Sequence, residues 1–287
     1  MGGAAAAALV LLSVRALVLG SSGMVGRAVA TRLRELDGVE VVTPSRRDID
    51  ALDPRPLAPA LAGVNLVVNA VGMLRNHPDY PGDRYRILAT HVNADFPLLL
   101  AAAAEEAGSR VVHVSTDAVF APGDEPADEA TEVSASEPYG LSKALGEADS
   151  RRVVNVRCSV VGPAPGREEG IWQWFASQPR AARVEGHTRP WTGVTSRQLA
   201  VLCGDLLDPD TFAQVRASGP SHHFVPNQPI TKLDLLRLLR DAIRPDIRVE
   251  PGNLGPAGRP LVSTTGALDG VYSGVRGWAE AVAEVVG

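Results

Sequence analysis

The sequence predicts an α/β protein: a doubly wound parallel sheet followed by a smaller C-terminal lobe. Three observations predict it. Apolar runs of four or five residues alternate with helix-period segments over the first 160 residues, the pattern of strands joined by crossover helices. A glycine-rich turn, Gly20-Ser21-Ser22-Gly23-Met24-Val25-Gly26, directly follows the first apolar run, Ala16-Leu17-Val18-Leu19. Beyond Gly162 the rhythm weakens, and prolines, glycines and the tryptophans Trp172, Trp174 and Trp191 become frequent.

Composition sets the limits. A chain of 287 residues, 45% hydrophobic and 21% charged, can bury a substantial core and is typical of a soluble globular protein. The net charge of −5 argues against a general nucleic-acid binder. Cys158 and Cys203 stand alone, without metal-ligand spacing, which suits small core residues in a reducing, cytoplasmic setting. His187, His222 and His223 also lack metal spacing, so no metal is expected. Ala4 to Leu12 is an apolar run of nine residues, too short to span a bilayer and preceded by no basic stretch. Residues 1–13 therefore read as a disordered or non-native extension, and no membrane association is expected.

After the glycine turn, Val25, Val29, Leu33 and Leu36 recur at helical spacing until Gly38. Val39–Val42 is a second strand, a proline-broken helix follows, and Leu66–Asn69 is a third strand. Ile87–Ala107 reads as one long alanine-rich helix stopped by Gly108. Arg110–Val114 is a fourth strand, Tyr139 to about Arg151 a helix, and Val153–Arg157 a fifth strand. Helical patterns return at Ser196–Leu207, at Thr231–Ile243 with Thr231 as N-cap, and at Ala279–Val286. The division is then 14–162, with a returning segment at about 190–220, as a nucleotide-binding domain, and 163–287 mainly as a substrate-binding lobe.

The motifs carry the chemistry. Gly20-x-x-Gly23-x-x-Gly26 follows a strand and opens a helix, the context in which glycines let a backbone approach a pyrophosphate and a helix N-terminus supplies N–H donors. Alone, such a triplet is only a turn. With it, Ser22, Met24 and Val25 complete a cofactor-binding loop. Arg46 and Arg47 lie just past the second strand, where an acidic residue would take a ribose 2′-hydroxyl and arginines would instead take a 2′-phosphate. This favours NADPH, with NADH as the alternative. Ile49 and Asp50 lie where an adenine would, though Asp50 reads equally as a surface carboxylate. Asn69-Ala70-Val71-Gly72 ends the third strand with small residues, over which a cofactor can pass at the sheet's carboxyl edge. Ser115 and Thr116 carry hydroxyls to the same edge, although a Ser-Thr pair there is also an ordinary turn cap. Tyr139 and Lys143, four apart, share one helix face. A free phenol near pKa 10 is a poor acid at neutral pH, and an ammonium beside it stabilises the phenolate. Lys143 and Lys232 are the only lysines, which makes Lys143 a poor candidate for casual surface charge.

Taken together, Leu17–Gly26, Val67–Ala70, Val92-Asn93-Ala94, Ser115–Phe120 and Tyr139–Glu147 resemble the extended short-chain dehydrogenase/reductase superfamily, and within it the dTDP-4-dehydrorhamnose reductase branch. The resemblance covers residues 15 to about 160. It extends less specifically to Gly170–Phe175 and Trp191–Thr195. It implies a Rossmann-type fold and an NADPH-dependent reductase of a nucleotide-linked 4-keto-6-deoxy sugar. Thr116, Tyr139 and Lys143 would be catalytic: Tyr139 protonates the sugar oxygen, Lys143 tunes it and binds the cofactor ribose, and Thr116 bonds the ketone. Ser115, Tyr139 and Lys143 would also touch the cofactor. Met73, Thr116, Asp117, Ala118, Trp174 and Trp191 would contact the sugar nucleotide, with buried core as the plain reading of the tryptophans. Arg157 is a weaker candidate for cofactor or nucleotide contact. Ala118, where the branch has a tyrosine, and the segment Ala70-Val71-Gly72-Met73-Leu74-Arg75 depart from the pattern and point to a different sugar. An epimerase or dehydratase with tightly held NAD, and a non-catalytic NADP-binding regulatory subunit, are the alternatives. A homodimer is left open.

Overall fold

The computed structural model describes residues 14–53, 55–164, 166 and 170–286, so the expectation for residues 1–13 lies outside the described chain. Strands β1 (Val14–Leu19), β2 (Val39–Val42), β3 (Leu66–Asn69), β4 (Arg110–Val114) and β5 (Val153–Arg157) form one sheet with a sixth strand, Ser221–His223. The order across the sheet is Ser221–His223, β5, β4, β3, β1, β2, and every pairing is parallel. This is the doubly wound α/β fold. Successive strands build outward in opposite directions from β1, so β1 and β3 flank the switch point where such sheets open a ligand crevice.

Alternation along each strand decides which side chains meet which layer. Ala16, Val18, Leu66, Val68, Val112 and Val154 join one core with Val29, Ala30 and Leu33 of the Met24–Arg34 helix and Leu199 and Leu202 of the Ser196–Asp205 helix. Leu17, Leu19, Val67, Val111 and Val153 face the other way, onto Leu57, Phe96, Leu100 and Ala104. Both faces are covered, which is why these strands read as unbroken apolar runs. By length and composition the Asp83–Ala107 helical stretch could cross a membrane, but its Phe96, Leu100 and Ala104 are buried against the sheet.

Two helices differ from the sequence reading. The long helix starts earlier, at Asp83, and contains a π-helical turn at Thr90–Asp95 before it stops at left-handed Gly108. The helix of Tyr139 spans only Pro138–Leu145. At Gly146, just past its end, a Cβ would lie 2.0 Å from the Asn93 carbonyl oxygen, so the chain crosses the π-turn at backbone contact there. Past Gly146 the chain continues as a loop, with Ala148 buried and Asp149 and Arg151 exposed, and not as a helix.

Past Gly162 a third core gathers Trp172, Phe175, Leu235, Leu236, Leu239, Trp278 and Val282. The Lys232–Ile243 helix is capped by Thr231, whose hydroxyl accepts from the Asp234 N–H at 3.0 Å, as its sequence suggested. The chain then returns across the sheet's edge. Ala127 bridges Leu261, and Glu129 accepts hydrogen bonds from Ser263 and Thr264. That return carries Arg259 to the carboxyl end of the sheet.

Candidate functional site

The register sets the site. Leu19 pairs with Asn69 and Asn69 with His113, so β1 and β3 end level and β4 one residue beyond, with Gly20, Ala70 and Ser115 leaving the same edge of the sheet. Gly20 has φ +77°, and a Cβ there would lie 2.8 Å from the Ala70 carbonyl. At Gly26 a Cβ would lie 2.3 Å from the Gly20 oxygen. Only glycine allows this turn to fold onto its own helix. The cap residue is Gly23, so no side chain covers the first N–H groups of the Met24–Arg34 helix, which are free to meet an anion. The cradle therefore fits the pyrophosphate of a dinucleotide. Ser22 is exposed at its rim, with Met24 and Val25 opening the helix. Past β2, Arg46 and Arg47 are exposed; Arg46 reaches Asp50 at 3.2 Å, and Ile49 packs against the core.

Beneath the crevice runs a buried polar chain. Asn69 accepts from the Val71 N–H at 3.1 Å and faces the Nδ1 of His113 through its Nδ2 at 3.1 Å. The Nε2 of His113 lies 3.2 Å from the Nζ of Lys143, which also donates to the Val114 carbonyl at 2.7 Å. Burial pulls the Lys143 amine down to about 8, and the carboxylate of Glu147 opposes it. Burial, aided by Lys143, takes His113 well below its ordinary value. Asn93, on the π-turn, braces the far side: its amide holds both the N–H and the carbonyl of Met73 and donates to Ser142 at 3.0 Å.

Above this floor opens a pocket of about 350 Å³ lined by Leu74, Arg75, Thr116, Asp117, Tyr139 and Arg259, with Asn76, Ala118 and Ser159. Arg75 sits over the Tyr139 ring, 5.3 Å from guanidinium carbon to centroid. Glu137 joins the two guanidiniums, at 3.1 Å to Arg75 and 2.9 Å to Arg259. Burial pushes the Tyr139 phenol up to about 12, the Thr116 hydroxyl and Arg75 work against it, and Asp117 works with it. Asp117 is itself pushed up by loss of water, against the Thr116 hydroxyl that donates to it at 3.0 Å. A larger hollow, about 560 Å³, lies on the outer face beside Leu98, Glu105 and Arg151. Neither Tyr139 nor Thr116 borders it.

The structure brings Thr116, Asp117, Ala118 and Tyr139 to one pocket, while Asn69 and Lys143 are joined through His113 outside the pocket lining. Other expected residues lie elsewhere. The Ser115 hydroxyl donates to Glu147 at 2.6 Å, and Arg157 is buried against the same carboxylate, so both are engaged within the protein. Met73 is held through its backbone by Asn93, outside the pocket lining. Trp191 packs on Trp278 in the C-terminal core, and Trp174 takes Lys232 over its ring; neither lines the pocket. His113, Arg75 and Arg259 are the residues that sequence reading missed. Arg75 had one signal, its place just after the end of β3. Arg259 had none, since its partner Glu137 is 122 residues away in the chain. Among the described residues no His, Cys, Asp and Glu cluster is placed to hold a metal.

Comparison with known proteins gives three findings. No curated protein matches the sequence. The structure is similar to a dTDP-4-dehydrorhamnose reductase of Clostridium acetobutylicum, with TM-score 0.77, 22% identity, and 95% of this chain and 98% of that one covered. It is likewise similar to a Bacillus anthracis dTDP-4-dehydrorhamnose reductase in complex with NADP (0.77, 15%, the same coverage) and to a dTDP-glucose 4,6-dehydratase of Streptomyces venezuelae with NAD bound (0.68, 20%, 95% of each). At these identities the likeness speaks for the fold. The model of the NAD dependent epimerase/dehydratase family matches residues 16–178, more than half of the chain. The chain belongs to that family, within the extended short-chain dehydrogenases/reductases.

Proposed function

We propose that this protein is an NADPH-dependent reductase of a nucleotide-linked 4-keto-6-deoxy sugar. The observation that carries the reading is that Tyr139 and Thr116 face one pocket at the carboxyl edge of the sheet, the edge at which the glycine cradle also opens. Gly20, Gly23 and Gly26 would hold the pyrophosphate, with Arg46 and Arg47 at the adenosine ribose and Asn69, Ala70 and Val71 under the ring. A bound nicotinamide supplies the hydride. Tyr139 supplies the proton from its hydroxyl, and the Thr116 hydroxyl orients the carbonyl oxygen. Arg75 over the phenol ring favours the charge left on Tyr139 when the proton departs. Arg75 and Arg259 on the same wall suit the diphosphate of a nucleotide-linked substrate. The relatives' printed names, reductases of dTDP-4-dehydrorhamnose, point the same way.

One observation favours a second reading. Asp117, with its carboxyl pushed up, adds a further acid to the pocket, as an epimerase or dehydratase would use. Absorbance at the reduced-nicotinamide band, followed with a panel of nucleotide-linked 4-ketosugars, separates them. Net NADPH loss with one of the sugars is expected. NAD carried through purification, with product formed and no net NADPH loss, makes the protein an epimerase or dehydratase. No reaction with any sugar overturns both.

A further inference from the structure

The hydrogen-bond pattern beneath the pocket is overdetermined. The Val71 N–H can only donate, so the Asn69 atom 3.1 Å from it must be the oxygen. The amide nitrogen then faces His113 Nδ1 at 3.1 Å. An amide nitrogen also only donates, so Nδ1 must accept and the imidazole proton sits on Nε2. That Nε2–H points at Lys143 Nζ, 3.2 Å away. An ammonium has three donors and no acceptor, whereas a free amine offers a lone pair. The other partner of Nζ, the Val114 carbonyl at 2.7 Å, accepts from either form and does not discriminate.

We propose that His113 sets the protonation of Lys143: locked by Asn69 with its proton on Nε2, it keeps Lys143 as the free amine at neutral pH in the cofactor-free protein. The opposite assignment fails on geometry. A charged Lys143 would need an accepting Nε2, which puts the proton of His113 on Nδ1, against the amide hydrogens of Asn69. Turning that amide would set its nitrogen against the Val71 N–H. A doubly protonated His113 is opposed by its complete burial.

The other groups facing Lys143 do not reverse this. Glu147 favours the ammonium, but Arg157 takes both of its carboxylate oxygens at 2.6 to 3.1 Å. The Cys158 thiol is pushed up by burial and is neutral at pH 7, and Tyr139 is neutral there as well. Burial, with Glu147 and Cys158 opposing it, brings the amine down to about 8; on this assignment the donor on His113 moves it lower still. His113 is thus a positioning residue acting through Lys143. In the resting protein, the cation over Tyr139 is Arg75. None of this depends on the identity of the substrate.

The chain has only two lysines, which makes the test direct. In protein carrying ¹³C at the lysine ε-carbons, Lys232→Arg leaves Lys143 as the single resonance. Its midpoint is expected below about 7, against about 10.4 for free lysine. His113→Gln places an oxygen where Nε2 stood and is expected to raise the proton affinity of Lys143 more than about tenfold, a shift of over one pH unit. A midpoint at or above about 7 in the parent protein, or one that His113→Gln leaves in place, overturns the proposal. Should His113→Gln fail to fold, ¹⁵N-histidine spectra of the parent protein decide: a proton on His113 Nε2 sustains the assignment, and one on Nδ1 refutes it.

Discussion

Arg157 and Lys143 are both basic side chains buried at the carboxyl end of the sheet, 6% and 3% exposed, and their partners differ. Arg157 meets Glu147 through three contacts of 2.6 to 3.1 Å, and the same carboxylate accepts the hydroxyls of Ser115 and Ser221. Lys143 has a neutral imidazole and a carbonyl, and its amine is pulled down. One is neutralised and fixed, which ties β5 to the strand Ser221–His223. The other is left without a counter-charge of its own. A buried paired charge holds structure together; a buried amine without a counter-charge is available for proton chemistry.

The largest effect that breaks this contrast is on Glu147. Glu147→Ala strands a buried guanidinium and is expected to lower stability by about 3–5 kcal/mol, read from denaturant unfolding. Replacing both partners by methionine is expected to recover most of that loss, because it removes the uncompensated charge. If the double variant is as unstable as the single one, Arg157 is not the paired, structural cation described here.

Lys143 responds differently. Its amine is lower in the folded than in the unfolded chain, so the fold binds fewer protons between about pH 8 and 10.5. Stability contributed by this group therefore rises with pH across that window, by something on the order of 3 kcal/mol, and the rise begins lower where His113 acts as proposed. Lys143→Met removes the titrating group. The difference between the unfolding free energies of parent and variant is then expected to slope over this range; a flat difference shows that Lys143 is not held as described.

What could be read from sequence follows the same divide between local and long-range contacts. The glycine turn, β1 to β5, the Thr231 cap and the Tyr139–Lys143 helix face are encoded within a few residues of chain, and the structure has them. The pocket wall is not local. Arg75 and Arg259 meet at Glu137 only because the helical stretch from Asp83 packs against the Pro138–Leu145 helix and because Ala127 and Glu129 hold residues 261–264. His113 looked like an ordinary strand residue, since nothing in the order of residues says that it touches Asn69 on one side and Lys143 on the other. The tryptophans misled in the opposite direction. Aromatic residues suited to stacking on a ligand are equally suited to a core, and Trp191 beside Trp278 fills one.

The central claim is that the Tyr139 hydroxyl gives the proton while the glycine cradle holds the cofactor independently of it. Tyr139→Phe tests both halves in a single measurement: NADPH binding by fluorescence, followed by single-turnover loss of reduced-nicotinamide absorbance on adding the nucleotide-linked ketosugar that the parent protein reduces. The expected result is NADPH binding retained and reduction slowed by at least about a hundredfold. Reduction at the parent rate, or loss of NADPH binding along with turnover, would contradict it.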